Sequence, residues 1–149
     1  MTYTDWDYRF LELAKHISTW SKDPSTQVGA VAVRDRRILA TGYNGFPRGI
    51  EDSPERLADR QQKLLRTVHA EANVVAQASL HGVSLEGASI YIWPFLPCSS
   101  CCTLLIQAGI QRVVVPSLEI PERWLVSFTT SVGMLQEAGM RLERIEIDP

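Results

Sequence analysis

His69-Ala70-Glu71-Ala72-Asn73-Val74-Val75-Ala76-Gln77-Ala78-Ser79-Leu80-His81-Gly82 and, shortly after it, Ala88-Ser89-Ile90-Tyr91-Ile92-Trp93-Pro94-Phe95-Leu96-Pro97-Cys98-Ser99-Ser100-Cys101-Cys102 decide the architecture. The first stretch, rich in Ala and Val and stopped by His81-Gly82, reads as a largely buried helix over His69 to Leu80. The second changes to an apolar, β-branched and aromatic run, a strand over Ala88 to Trp93. It then turns at Pro97 into a helix over Cys98 to Ala108, closed by Gly109.

Downstream, the alternation continues with a strand at Arg112 to Val115, a helix at Pro121 to Ala138 closed by Gly139, and a last strand at about Arg141 to Ile147. Upstream, Trp6, Phe10, Leu13, Ile17 and Trp20 fall at steps of three and four behind Thr4, a candidate N-cap, which predicts a helix ending near Ser21. Val28 to Val33, a charged turn at Arg34 to Arg37, and Ile38 to Tyr43 read as an antiparallel hairpin. Ser53-Pro54 opens a short surface helix with Leu57, Leu64 and Val68 on an inner stripe and Arg56, Arg60, Lys63 and Arg66 on another face. This order predicts a three-layer α/β/α sandwich whose later strands run parallel through right-handed crossovers.

A chain of 149 residues fits one domain, 1–149, with no internal repeat or linker. With 45% hydrophobic and 21% charged residues its composition is that of a globular protein, and a net charge of −2 gives no broad basic surface for capturing a polynucleotide. No apolar run approaches the ~20 residues that cross a bilayer, and Met1 to Asp7 holds no signal-like segment, so a cytoplasmic protein without membrane contact is expected.

The chemistry lies in the pairing of His69-Ala70-Glu71 with Pro97-Cys98-Ser99-Ser100-Cys101. H-x-E followed by P-C-x-x-C is the signature of zinc nucleobase deaminases. One imidazole and two thiolates leave a tetrahedral zinc one open position, the arrangement of a catalytic ion. Cysteines three apart at a helix start share a face, and the positive helix end favours the thiolate zinc requires. Glu71, two residues after the histidine, is placed to act as general base and then general acid toward a water whose pKa the metal lowers. A structural zinc would need a fourth protein ligand. Cys102 is turned away by one helical step of about 100° and reads as core. His16 and His81 lack metal spacing. A redox pair, the other use of clustered cysteines, would leave His69 and Glu71 unexplained.

Five segments in order, Ser21 to Ala30, Gly42 to Pro47, His69 to Asn73, Pro97 to Cys101 and Ile106 to Ile110, resemble the deoxycytidylate (dCMP) deaminases over most of the chain. The resemblance implies the cytidine deaminase-like fold, a five-stranded mixed sheet in the order 2-1-3-4-5 with helices on both faces. It also implies a homo-oligomer, a hexamer or dimer, and one catalytic zinc per subunit. By the same resemblance Asn44 bonds the sugar, the Ala70 backbone N–H binds the pyrimidine carbonyl, and Lys22 faces the nucleotide phosphate. Arginine grips phosphate through its planar fork, which makes Arg48 and the stripe of Arg56, Arg60, Lys63 and Arg66 further candidates. Gly45 to Val68 carries neither Cys nor His, so no second zinc is expected. The implied activity is hydrolysis of dCMP, a small cytosine nucleotide, to dUMP and ammonia. Another cytosine nucleotide, a nucleoside or a modified base is the alternative substrate, and a non-catalytic nucleotide-binding role the alternative function.

Overall fold

The computed structural model describes residues 4–147, so the first three and last two residues of the expected 1–149 unit lie outside it. Helix α1 (Asp5–Ser18) opens on a reciprocal cap, in which Thr4 Oγ1 accepts from the Asp7 N–H and Asp7 Oδ2 accepts from the Thr4 N–H. It stops three residues short of the expected Ser21. The hydroxyls of Ser18 and Thr19 donate to the carbonyls of Lys15 and His16, closing the last turn and leaving Trp20 half exposed instead of on the inner stripe.

Strands β1 (Gly29–Arg34) and β2 (Arg37–Tyr43) form the expected hairpin, with Asp35 and Arg36 at positive φ in the turn. The single helix expected after Ser53-Pro54 is two helices, α2 (Pro54–Ala58) and α3 (Arg60–Arg66). Ser53 caps the first and Asp59 the second, so the chain restarts at Asp59. Two positions of α3 depart from the expected faces, Lys63 being buried and Leu64 exposed, while Arg60 is exposed as expected.

Helix α4 (Ala70–His81) ends in a left-handed Gly82 and leads to β3 (Ser89–Trp93), α5 (Ser99–Gln107) and β4 (Arg112–Pro116). A 3-10 turn at Glu122–Trp124 then precedes α6 (Leu125–Glu137), where one continuous helix from Pro121 was expected. Strand β5 (Arg141–Ile145) stops two residues early.

The sheet order is β2-β1-β3-β4-β5, with β1 antiparallel to both neighbours and β3, β4 and β5 parallel. Alternation sorts the two cores. Ala30, Ala32, Ile90, Ile92, Val113 and Val115 face α4, α5 and α6, whereas Val31, Val33, Tyr91 and Val114 face α1. Each fully buried Val, Leu or Ile contributes roughly 1.5–3 kcal/mol to this burial. The small residues of β1 and β2 bring α4 close: a Cβ on Gly42 would stand 2.4 Å from the Ala70 carbonyl oxygen. That approach fixes where α4 begins, and its first residues carry the site.

Candidate metal and active site

Gly29 lies opposite Tyr43 on one side and Trp93 on the other. The start of β1 and the ends of β2 and β3 therefore meet at one edge of the sheet, where an α/β fold presents its ligand crevice. Asn44 leaves β2 here, and the chain from β3 reaches Cys98 nearby. The excursion through α2 and α3 returns by pairing Gly45 with Val68 through backbone bonds of 3.1 and 2.8 Å, which delivers His69 to the same edge.

His69 and Cys98 are the N-cap residues of α4 and α5, and neither side chain caps its own helix. Both are thus free to face each other. His69 Nδ1 lies 3.4 Å from Cys98 Sγ and 3.3 Å from Cys101 Sγ, and the three ligand atoms fall within 4.8 Å of one another. Tetrahedral zinc, with ligands at 2.0–2.3 Å, spaces its donors roughly 3.5 Å apart, and a nitrogen with two sulfurs is a zinc-type donor set. The residues fit the ion. Among the described residues this is the one group of His, Cys, Asp and Glu side chains close enough to hold a metal.

The cysteine corner is fastened from α6. Ser127 Oγ accepts from the Ser99 N–H at 2.9 Å, and Ser131 Oγ, one turn on, donates to the Pro97 carbonyl at 2.8 Å. Cys102 points the other way, fully buried with Sγ 3.7 Å from the Ser131 carbonyl oxygen. Hydrogen bonds from Cys101 and His69 bring the Cys98 thiol down to about 4, while the same contact with Cys98 and burial push Cys101 up. Cys98 is thus the thiolate of the group, and a cation bound here would displace the protons that Cys101 and His69 hold.

Glu71, 5% exposed, lines the same cavity. Burial pushes its carboxyl up to about 7, against its own backbone N–H and His69, which favour the ionised form. The cavity has a volume of about 340 Å³ and passes from His69, Ala70 and Glu71 to Asn44 and Thr26. Phe95, Trp124 and Phe128 pack edge to face and tilted against one another, with centroids 5.2–6.2 Å apart, and supply its apolar side.

Asn44 is buried, with Oδ1 accepting from the Val28 N–H and Nδ2 donating to the Thr26 carbonyl, both at 2.9 Å. Two other expected substrate contacts, Lys22 and Arg48, are not brought in. Lys22 pairs at 3.1 Å with Asp52 in an exposed bridge, and neither it nor the exposed Arg48 lines this cavity. Of the basic stripe, Arg60 and Lys63 line it, whereas Arg56 and Arg66 bond the Glu51 and Gln62 carbonyls. Arg123 also lines it. Sequence reasoning passed over Arg123 because it stood alone inside an apparent helix.

The family model described as the cytidine and deoxycytidylate deaminase zinc-binding region matches residues 4–117. An uncharacterized deaminase of Aliivibrio fischeri is 38% identical over 145 residues, covering 96% of this chain and 95% of that one. The deoxycytidylate deaminase of Mycobacterium phage D29 is 38% identical over 128 residues, covering 78% and 98%. The crystal structure of the dCMP deaminase from cyanophage S-TIM5, in complex with dCMP and dUMP, superposes with a TM-score of 0.78 at 23% identity, covering 97% and 100%, which shows a shared fold.

Proposed function

The chain belongs to the family of cytidine and deoxycytidylate deaminases with a zinc-binding region, and on that premise we propose that it hydrolyses dCMP to dUMP and ammonia with one zinc per subunit. The observation that carries the proposal is the meeting of His69 Nδ1 with the thiols of Cys98 and Cys101 beside the buried Glu71, in a cavity that also reaches Asn44. His69, Cys98 and Cys101 hold the ion. When bound, the zinc lowers the pKa of water from 15.7 toward roughly 7 and so supplies a nucleophile at neutral pH.

Glu71 manages the protons. Its carboxylate takes one from the attacking water and passes it to the ring nitrogen beside the amino-bearing carbon. With the water oxygen now bonded to that carbon, the carboxylate takes the remaining proton from this oxygen and gives it to the amine, so that the carbon–nitrogen bond breaks, ammonia leaves and a carbonyl remains. A carboxyl near 7 exchanges protons in both directions at neutral pH, the property such a shuttle needs. The zinc charge favours its ionised form before the first transfer.

The backbone N–H of Ala70 receives the pyrimidine carbonyl. The Asn44 amide, fixed by Val28 and Thr26, keeps its second hydrogen for a sugar hydroxyl. Phe95 and its aromatic neighbours keep bulk water from the base. In this reading the chain acts as a single-domain subunit of a cytoplasmic homo-oligomer on a small nucleotide.

The test is ammonia release by zinc-loaded protein across deoxycytidine, dCMP, CMP, dCTP and 5-methyl-dCMP. Release mainly from dCMP supports the proposal. Full zinc occupancy with no release from any cytosine compound would refute it.

A further inference from the structure

Three basic side chains line the cavity, Arg60, Lys63 and Arg123, and they differ in what already holds them. Lys63 Nζ bonds Asp23 Oδ1 at 3.1 Å and Ser25 Oγ at 3.2 Å, so its charge and that of Asp23, which also lines the cavity, cancel. Arg60 makes no hydrogen bond or ion pair among the described residues. Arg123 makes no hydrogen bond or ion pair among the described residues and lies over the Trp124 ring, with Cζ 4.9 Å from the centroid.

A ring contact is neither an ion pair nor a hydrogen bond to an acceptor side chain, so Trp124 holds Arg123 at the cavity without pairing its charge. Both arginines are exposed, whereas Glu71 and Cys101 are buried. The two arginines therefore stand nearer the mouth than Glu71 and Cys101, while His69 is exposed as well. They come from separate elements, α3 and the 3-10 turn before α6. Two guanidinium groups on the cavity wall, neither paired with a carboxylate among the described residues, are matched to a phosphate monoester, which carries −1.5 to −2 charges at neutral pH.

We infer that Arg60 and Arg123 together grip the 5′-phosphate of the nucleotide and set the preference for a 5′-monophosphate over the free nucleoside. The inference rests on the reading that the base reacts at the His69, Cys98 and Cys101 end. A phosphate contact remote from the reacting carbon contributes binding that the free nucleoside cannot use. Loss of either arm then falls on the phosphorylated substrate.

The experiment compares kcat/KM for dCMP and deoxycytidine in Arg60→Gln, Arg123→Gln and the double variant. Arg66→Gln, outside the cavity, is the control. Each single substitution should lower kcat/KM for dCMP roughly ten- to a hundredfold and leave deoxycytidine within about twofold. Equal losses on both substrates, or no loss on dCMP, overturn the assignment. If the wild-type protein deaminates neither compound, the proposed reaction has failed and the arginines are judged by calorimetry with dUMP. A tenfold or greater loss of dUMP affinity in the variants supports the grip, and unchanged or undetectable dUMP binding overturns it.

Discussion

Lys63 Nζ lies 3.1 Å from Asp23 Oδ1, with both side chains nearly shut off from solvent. Asp23 Oδ1 also accepts from the Ser25 and Thr26 N–H groups, and the Thr26 carbonyl in turn holds Asn44. The ammonium thus anchors, across forty positions of sequence, the loop that holds the Asn44 amide.

Lys63→Met removes that anchor and leaves a shielded carboxylate without its cation. We expect a stability loss of about 3 kcal/mol, at the low end for a broken buried pair because the two backbone donors remain. A denaturant midpoint unchanged from wild type would show that the loop holds without it.

Glu71→Gln keeps the shape of the side chain and removes its ability to exchange a proton. Zinc content measured by plasma emission should stay at the wild-type value while kcat falls by ~10²–10⁴. Near-normal turnover would assign the shuttle to another group.

Cys98→Ala and Cys101→Ala should each abolish stoichiometric zinc, whereas Cys102→Ala should retain it. The last variant loses a buried sulfur beside Ser131 and should be destabilised by roughly 1 kcal/mol through the small cavity created. Metal analysis of the three proteins checks the assignment, and loss of zinc from Cys102→Ala would contradict it.

Acid should act through Asp7. Burial alone would raise its carboxyl. The hydrogen bonds from Arg112 at 2.8 and 3.0 Å, and from the Tyr91 hydroxyl at 2.6 Å, outweigh that and hold it well below the usual carboxylate range. The unfolded chain, with an ordinary aspartate near 3.9, takes up the proton first. The contribution of the pair is therefore fully present above about pH 4 and is lost as pH falls below it. Asp7→Asn should be less stable than wild type at pH 7 and show a shallower decline below pH 4, which melts across that range would measure.

What was legible in the sequence followed from local rules. Thr4, Gly82 and the apolar, β-branched runs of β1, β3 and β4 announce their elements because a cap, a left-handed residue or a continuously buried run is written in adjacent positions. The metal-binding group was legible because the spacing of Cys98 and Cys101 is set by one helical turn. The burial of Lys63 was not, since its partner Asp23 lies on a loop that only the folded chain brings near. The same applies to Arg112, which meets Asp7 and Glu143 from distant segments. Arg123 escaped notice because a 3-10 turn has no periodic signature, and Asp59 because a capping residue between two short helices reads as one more polar position within a single helix.

The paired backbone of Gly45 and Val68 works like a clasp at the neck of a purse. Residues 46–67 leave and return at this one point, so a change of length among those that touch nothing beyond the pouch is absorbed below the clasp and leaves His69 in place. Arg60 and Lys63 hang in that pouch. A substitution at Arg60 therefore alters the cavity wall while the start of α4 keeps its place.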